Sequence, residues 1–436
     1  MWLKFAAARS NFHVMHRVRR ALPVALIVFA ASTAHAYTVK TTSTGAPVHW
    51  ATGDVTLTLA FTPAPAGVDV VRATAAANDG LATWQAALDG TGVTLMTEPG
   101  TAGTDHTDGV DSVRWALTAD DPNIEKGVLA LTFVAYQSGS GEITDADIVM
   151  NGVDFAWATD PTACTTRYDV ASALTHEFGH ALGLAHALGH PEATMFATAE
   201  PCEISKRDLA ADDVDGIDEL YRPTTPPPQP GTCAAGSAKG TASTALVVLA
   251  IVILRRRRAR AAVVATAMTA VVLAGAPADA ATLRQLTLVD LADSADLVIR
   301  GRVVATAVSD DGQLATDSAI LVDECVAGSC PIALTVRRRG GERDGRGLWV
   351  DGEATLAPGT EVVLYLRADT RGHLRVLGGV QGALRIVRVQ GVPYAVRDLR
   401  GHQVLVGDAW QAGDVEVLDL AAVRQSVARA IAPAAR

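Results

Sequence analysis

Cysteine is scarce in this chain of 436 residues, with only Cys164, Cys202, Cys233, Cys325 and Cys330 present. Five is too few for a small disulfide-stapled scaffold, yet the spacing suits bridges in an oxidising compartment. Cys164 and Cys202 bracket the segment richest in chemistry, and Cys325 and Cys330 are close enough to close a hairpin. Both pairs are expected disulfides, which leaves Cys233 as the odd one out. Long hydrophobic runs are lacking too, although hydrophobic residues make up 49% of the chain and its mean hydropathy is +0.21. The apolar weight sits in short segments that read as addresses and are marginal as bilayer spans. Basic residues are few in the first half. Tyr37 to Arg222 carries 27 Asp and Glu against 8 Lys and Arg, whereas the remainder carries 20 against 29. An acidic body with basic flanks argues against nucleic acid as a partner. The same acidity would suit calcium-supported loops, so Ca2+ is a candidate structural ion.

Three segments are address rather than fold. Residues 1–36 read as a secretory signal: Arg17, Arg19 and Arg20 are basic, Ala21 to Ala31 is apolar, and Ala34-His35-Ala36 is a small-x-small cleavage site. A retained anchor is the alternative, but the run is short for a span. Residues 223–244 form a stiff linker holding Pro226, Pro227, Pro228, Pro230 and Cys233. Residues 245–260 follow with an apolar run from Ala245 to Leu254 and the cluster Arg255 to Arg258, a stop-like pairing that implies membrane contact. Cysteine, short apolar run and arginine cluster together resemble the C-terminal surface-sorting tails of exported myxobacterial proteins. Residues 261–281 look like a second export signal, ending in Ala278-Asp279-Ala280. Two readings stay open: two exported proteins joined in one frame, or a membrane hairpin with both bodies outside.

Between residues 37 and 222 the pattern alternates strand and helix. Val55 to Phe61 alternates as a strand does. Val70, Ala73, Ala77, Leu81, Trp84 and Leu88 lie at three- and four-residue spacing, the apolar face of a long helix from Asp69 to Leu88. Gly80 inside that helix costs about 1 kcal/mol of propensity. Strands are expected at Val93 to Met96, Ser112 to Leu117, Val128 to Tyr136 and Ile143 to Met150, and helices at Asp169 to Gly183 and about Lys206 to Tyr221. These predict an α+β domain built on a twisted mixed sheet. Residues 282–436 are rich in Val, Leu and glycine turns, with strands at Leu297 to Val304, Ala319 to Val322, Ala333 to Arg337, Glu361 to Leu366 and Leu384 to Val389. This predicts a separate all-β barrel or sandwich without a catalytic cluster.

The chemistry concentrates in His176-Glu177-Phe178-Gly179-His180-Ala181-Leu182-Gly183-Leu184-Ala185-His186. Four residues apart on a helix, His176 and His180 face one way and can hold one metal. His186 reaches the same metal only if the chain turns back at Gly183, where a left-handed backbone is cheap for glycine. Three imidazoles leave a fourth position open, the mark of a catalytic rather than structural Zn2+. Glu177, beside the first ligand, is placed to take a proton from water as general base.

This segment is the extended zinc motif of the metzincins, and the chain from residue 37 to 222 resembles the matrixin peptidases among them. Glu192-Ala193-Thr194-Met195-Phe196 looks like the family's methionine turn, which implies that Met195 forms a hydrophobic floor under the metal. Leu209 to Tyr221 is similar to the closing helix of matrixins, which implies that Asp213 braces that turn. Gly141 to Val149 resembles the strand region leading to the substrate edge. Matrixin proenzymes usually cap the metal with a pro-segment cysteine, and none lies between Tyr37 and the catalytic helix except Cys164. The glycine- and histidine-rich loop of animal matrixins is also not recognisable. His106 lies near Asp105, Asp108 and Asp111, and this stretch reads as a solvated loop.

The resemblance implies an exported zinc endopeptidase, secreted or at the cell surface, acting on protein or peptide substrates. An extended peptide is expected antiparallel to an edge strand at Ile143 to Met150, with Ala197 to Arg207 walling a pocket beside His176. Two rival readings are a surface adhesion module that holds zinc without turnover and a metallohydrolase acting on a different bond. Oligomeric state is not legible. Mass analysis of the exported product would show whether cleavage occurs after Ala36, near Cys233 and after Ala280; one intact chain from Tyr37 to Arg436 would exclude the joined-protein reading.

Overall fold

The computed structural model describes residues 37–124, 128–187, 190–197, 199–222, 286–398, 403–406, 409–412 and 415–431. The expected signal, the linker with Cys233, the apolar run with its arginine cluster and the second signal-like segment lie outside them. No helix among the described residues is long and apolar enough to cross a membrane.

The first half opens with β1 (Thr38–Val39), β2 (Gly53–Ala60) and α1 (Val70–Ala87). It continues through β3 (Val93–Pro99), β4 (Ser112–Ala116), β5 (Ala130–Gln137) and β6 (Ile143–Asn151). Two short strands, β7 (Trp157–Ala158) and β8 (Tyr168–Asp169), then lead into α2 (Val170–Ala181). The segment closes with β9 (Leu184–Ala185) and α3 (Ala211–Tyr221). The helix expected from Lys206 is thus broken: a single 3-10 turn at Ser205–Arg207 precedes α3, whose start is set by Asp213 reaching back to the Ala210 amide at 2.8 Å.

The main sheet runs β5-β6-β4-β2-β3, with parallel pairings except for β5, which is antiparallel to β6. This corrects the expected substrate edge at Ile143 to Met150. β6 lies between β5 and β4, and β5 is the outer strand of this half. Eight of the nine residues of β6 are buried, as befits a strand covered on both faces. Helices α1 and α2 pack on one face around Leu81, Trp84, Leu174 and Phe178.

The second half contains α4 (Leu288–Ser294), β10 (Leu297–Asp310), β11 (Leu314–Ala327), β12 (Ala333–Arg339), β13 (Gly341–Arg343) and β14 (Arg346–Val350). After these come β15 (Glu361–Ala368), β16 (Leu374–Val376), β17 (Ala383–Val389) and β18 (Val392–Asp398). The short pair β19 (Gln403–Val406) and β20 (Ala409–Ala412), then β21 (Val415–Asp419) and α5 (Leu420–Ile431), end the described chain. Eight strands form one sheet in the order β10-β11-β12-β16-β15-β17-β18-β21, and β10 pairs with β15 as well.

The region is β-rich, as expected, but differs from the all-β expectation in two ways. Helix α4, started by a reciprocal Thr287–Asp290 cap, packs Leu291 with Val423 and Val427 of α5 in one core. In addition, β13 and β14 leave their own sheet. β14 pairs antiparallel with β5, from Arg346 opposite Gln137 to Val350 opposite Phe133, and so extends the sheet of the first half.

Gly80 shows why propensity alone misjudges a helix. A Cβ there would lie 2.6 Å from Thr175 Oγ1 and 3.4 Å from the Thr175 backbone, so α1 and α2 approach closely only because the side chain is missing. Trp84 Nε1 seals the same contact by donating to Thr175 O at 2.7 Å. Gly80→Ala is therefore expected to destabilise the protein by about 1–3 kcal/mol through overpacking, against the gain propensity would give, as read from urea unfolding midpoints.

Candidate metal centre

Helix α2 carries the first two histidines on its inner face. Asp169 caps its start by accepting from Ser172 N at 2.8 Å. Its last carbonyls are taken by side chains: Trp50 Nε1 donates to Ala181 O and Tyr221 Oη to Leu182 O, both at 2.8 Å. Gly183 then turns the chain with φ +93°, and any Cβ there would run into the Val48 carbonyl oxygen. Only glycine meets both demands. The turned-back strand β9 is held by β1, with Ala185 opposite Thr38, and this delivers His186 to the other two histidines.

The three Nε2 atoms of His176, His180 and His186 lie 3.1 Å from one another, and all three rings are buried. His176 Nδ1 faces Thr194 O at 2.7 Å and His180 Nδ1 faces Leu184 O at 2.8 Å. A carbonyl cannot donate, so those two Nδ1 atoms carry the protons and both Nε2 atoms present bare lone pairs. Burial holds the imidazoles neutral: His180 is lowered to about 4, and His176 well below its ordinary value, helped by His180 and Lys206. Converging lone pairs at this distance repel unless a cation lies among them. About 3.3 Å is the nitrogen separation expected for tetrahedral zinc with bonds near 2.0 Å. The residues fit zinc. Among the described residues this is the one cluster of three His, Cys, Asp or Glu groups able to hold a metal.

Glu177 is buried beside the triad, and Thr132 Oγ1 of β5 donates to its Oε2 at 2.5 Å. Met195 lies against α2 at Gly179, where a Cβ would overlap its sulfur. Asp213 accepts from Thr194 N at 2.8 Å and from Met195 N at 2.9 Å. Thr194 therefore links the closing helix to a metal-facing ring through one peptide unit. Lys206 serves the same turn from the other side: its buried ammonium donates to Phe196 O at 2.6 Å, and burial lowers it to about 8. Cys202 is tied to Cys164, and Cys325 is bonded to Cys330.

Residues 54–222 match the family model described as Matrixin. That stretch is similar to the matrixin metallopeptidases. The chain is 36% identical to human (Homo sapiens) neutrophil collagenase over 111 residues, which are 26% of this chain and 21% of that protein. It is 37% identical to interstitial collagenase of Bos taurus over 101 residues, 22% of this chain and 18% of the relative. Stromelysin-1 of Rattus norvegicus matches at 38% over 95 residues, again 22% and 18%. The chain thus spans about a fifth of the length of these curated relatives. At family level the matches are to zinc metalloendopeptidases.

Sequence reasoning missed Thr132, Lys206, Trp349 and Asp351, because their part in the site comes from tertiary pairing and not from local spacing. The last two stand in and just after β14. Trp349 meets the His180 ring edge-on at 5.5 Å, and Asp351 Oδ2 is 3.4 Å from His186 Nδ1 and 3.6 Å from His180 Nε2.

The loop read as solvated is corrected in part. His106 is buried, stacked on Phe133 and bonded through Nδ1 to Asp147 Oδ2 at 2.8 Å. Nearby, burial and neighbouring carboxylates push Asp111 and Asp145 each up to about 7. Raised carboxyl values add stability that is full below about pH 4 and is lost as pH rises through about 7. Asp145→Asn is expected to gain thermal stability over wild type as pH goes from 4 to 8, by several degrees in buffer free of added calcium. A Tm difference that stays constant with pH would show that these groups are not so shifted.

Proposed function

We propose that the chain is an exported zinc endopeptidase that hydrolyses internal peptide bonds of protein substrates. The single observation that carries this reading is the convergence of three buried imidazoles, with buried Glu177 next in the chain to the first of them. Zinc, when bound, supplies Lewis acidity toward water and the scissile carbonyl. Glu177 accepts the proton of the attacking water at its carboxylate and hands it to the leaving amine. Thr132 orients that carboxylate through its 2.5 Å hydrogen bond. His176 and His180 are held in one tautomer by Thr194 O and Leu184 O, the kind of outer partner that fixes a ligand ring. Met195 floors the site, with Asp213 bracing the turn that carries it. Gly183 provides the reversal that brings in His186.

Substrate would add as an extended strand to the outer edge of the sheet at β5, gripped by main-chain hydrogen bonds. Ala197 to Arg207 would wall the side-chain pocket. Export is supported by the basic and apolar leader and by two cystine bridges, which belong to oxidising compartments. The excess of acidic residues between Tyr37 and Arg222 is what supports Ca2+ as a structural ion. Residues 37–222 would then be the catalytic domain and 282–436 a second body acting on it.

Purified protein is expected to hold one zinc per chain, with His186→Ala losing it. Glu177→Ala should keep the zinc and lower casein cleavage by about 10²-fold or more. Zinc held with equal cleavage by wild type and Glu177→Ala defeats the mechanism, and zinc held with no turnover under any condition favours the adhesion reading.

A further inference from the structure

If β5 is the edge that receives substrate, that edge is already taken. β14 lies antiparallel along it for five residue pairs, the direction and pairing an extended peptide substrate would adopt. Strand alternation sorts its side chains. Leu348 and Val350 turn away from the site and join Phe133 and Ala135 in an apolar cluster. Trp349 and Asp351 turn toward it. The Trp349 ring is buried against His180, with the Lys40 ammonium 4.5 Å above it, and it packs with Val48 and Val134. The Asp351 carboxylate is 1% exposed and lies within 3.6 Å of ring nitrogens of both His180 and His186.

A carboxylate buried this deeply is costly unless positive charge stands close to it. A cation at the histidine triad supplies that charge, so the position of Asp351 and the metal centre support each other. The hairpin is fastened on the catalytic side as well. Glu342, in β13, accepts from Ser43 N at 2.6 Å and from Tyr136 Oη at 3.0 Å. Gly347 lets β14 lie flat, because a Cβ there would overlap the ring of Tyr136. Among the described residues no cysteine stands at the histidine triad, but a carboxylate from the second half does.

We infer that residues 341–351 are a built-in occupant of the substrate cleft, with Asp351 at the metal centre, and that they hold the peptidase latent until the hairpin withdraws. This inference rests on the endopeptidase reading. It assigns the β-rich half a task, the restraint of the first half through strand addition.

The test uses the full chain loaded with Co2+, whose visible absorption reports the metal's surroundings, in wild type, Gly347→Val and Asp351→Asn. Each is titrated with a tripeptide hydroxamate, and exchange of the amides of residues 130–137 is followed by mass spectrometry. Both variants are expected to bind the probe at least tenfold more tightly than wild type. Gly347→Val should also lose at least tenfold of the amide protection along β5. Asp351→Asn, nearly isosteric and so the safeguard against misfolding of the valine variant, should shift the Co2+ bands before any probe is added. Equal probe affinity in every folded form, with Co2+ bands unmoved by Asp351→Asn, overturns this inference and leaves the peptidase reading intact. A chain that takes up no Co2+ in any form overturns both.

Discussion

Three imidazole nitrogens facing one another across 3.1 Å are the constraint from which the rest of the site follows. Like dipoles at that separation have no reason to stay together in a dry interior without a cation among them. Each nearby peculiarity of the backbone serves that convergence. The left-handed turn at Gly183 reverses the chain, β1 grips the reversed segment, and the carbonyls of Thr194 and Leu184 choose which nitrogen is bare. The buried Asp213 and Lys206 then hold the Thr194–Phe196 turn from opposite sides. A short stretch of irregular chain is fixed by ion-strength hydrogen bonds where regular secondary structure could not fix it.

Much of this was legible in the residues themselves. The four-residue spacing of His176 and His180 needs only a helix, and the place of Gly183 needs only the rarity of left-handed backbone. The long helix α1 showed its face through Ala73, Ala77, Leu81 and Trp84, all buried. Strand order was not legible. β5 and β6 are both buried nearly throughout, so neither displays the polar alternation that marks an edge. The partners Thr132 and Lys206 look like any strand threonine and any surface lysine until the fold closes over them.

The second half concealed more. Its helices α4 and α5 are short, and they bury their apolar faces against each other and one face of the sheet, a pairing across more than a hundred residues that no local window contains. β13 and β14 read as one more glycine-rich turn region. Their allegiance to a different sheet follows from shape: Gly347 permits contact with Tyr136, and the alternation of Leu348, Trp349, Val350 and Asp351 offers one apolar face to each side of β5. Length and composition treat the halves as separate, whereas backbone hydrogen bonding makes one sheet out of strands from both.

The Cys164–Cys202 bridge spans 38 positions, and the loop it closes contains all three histidines, Glu177 and Met195. The three histidines and Glu177 are therefore threaded on one covalent ring. In the unfolded chain such a ring has far fewer arrangements than an open segment of equal length, so part of the ordering that the site demands is settled before folding begins. Where thiols stay reduced, that advantage disappears. Oxidation of this pair and assembly of the histidine cluster are in this way coupled.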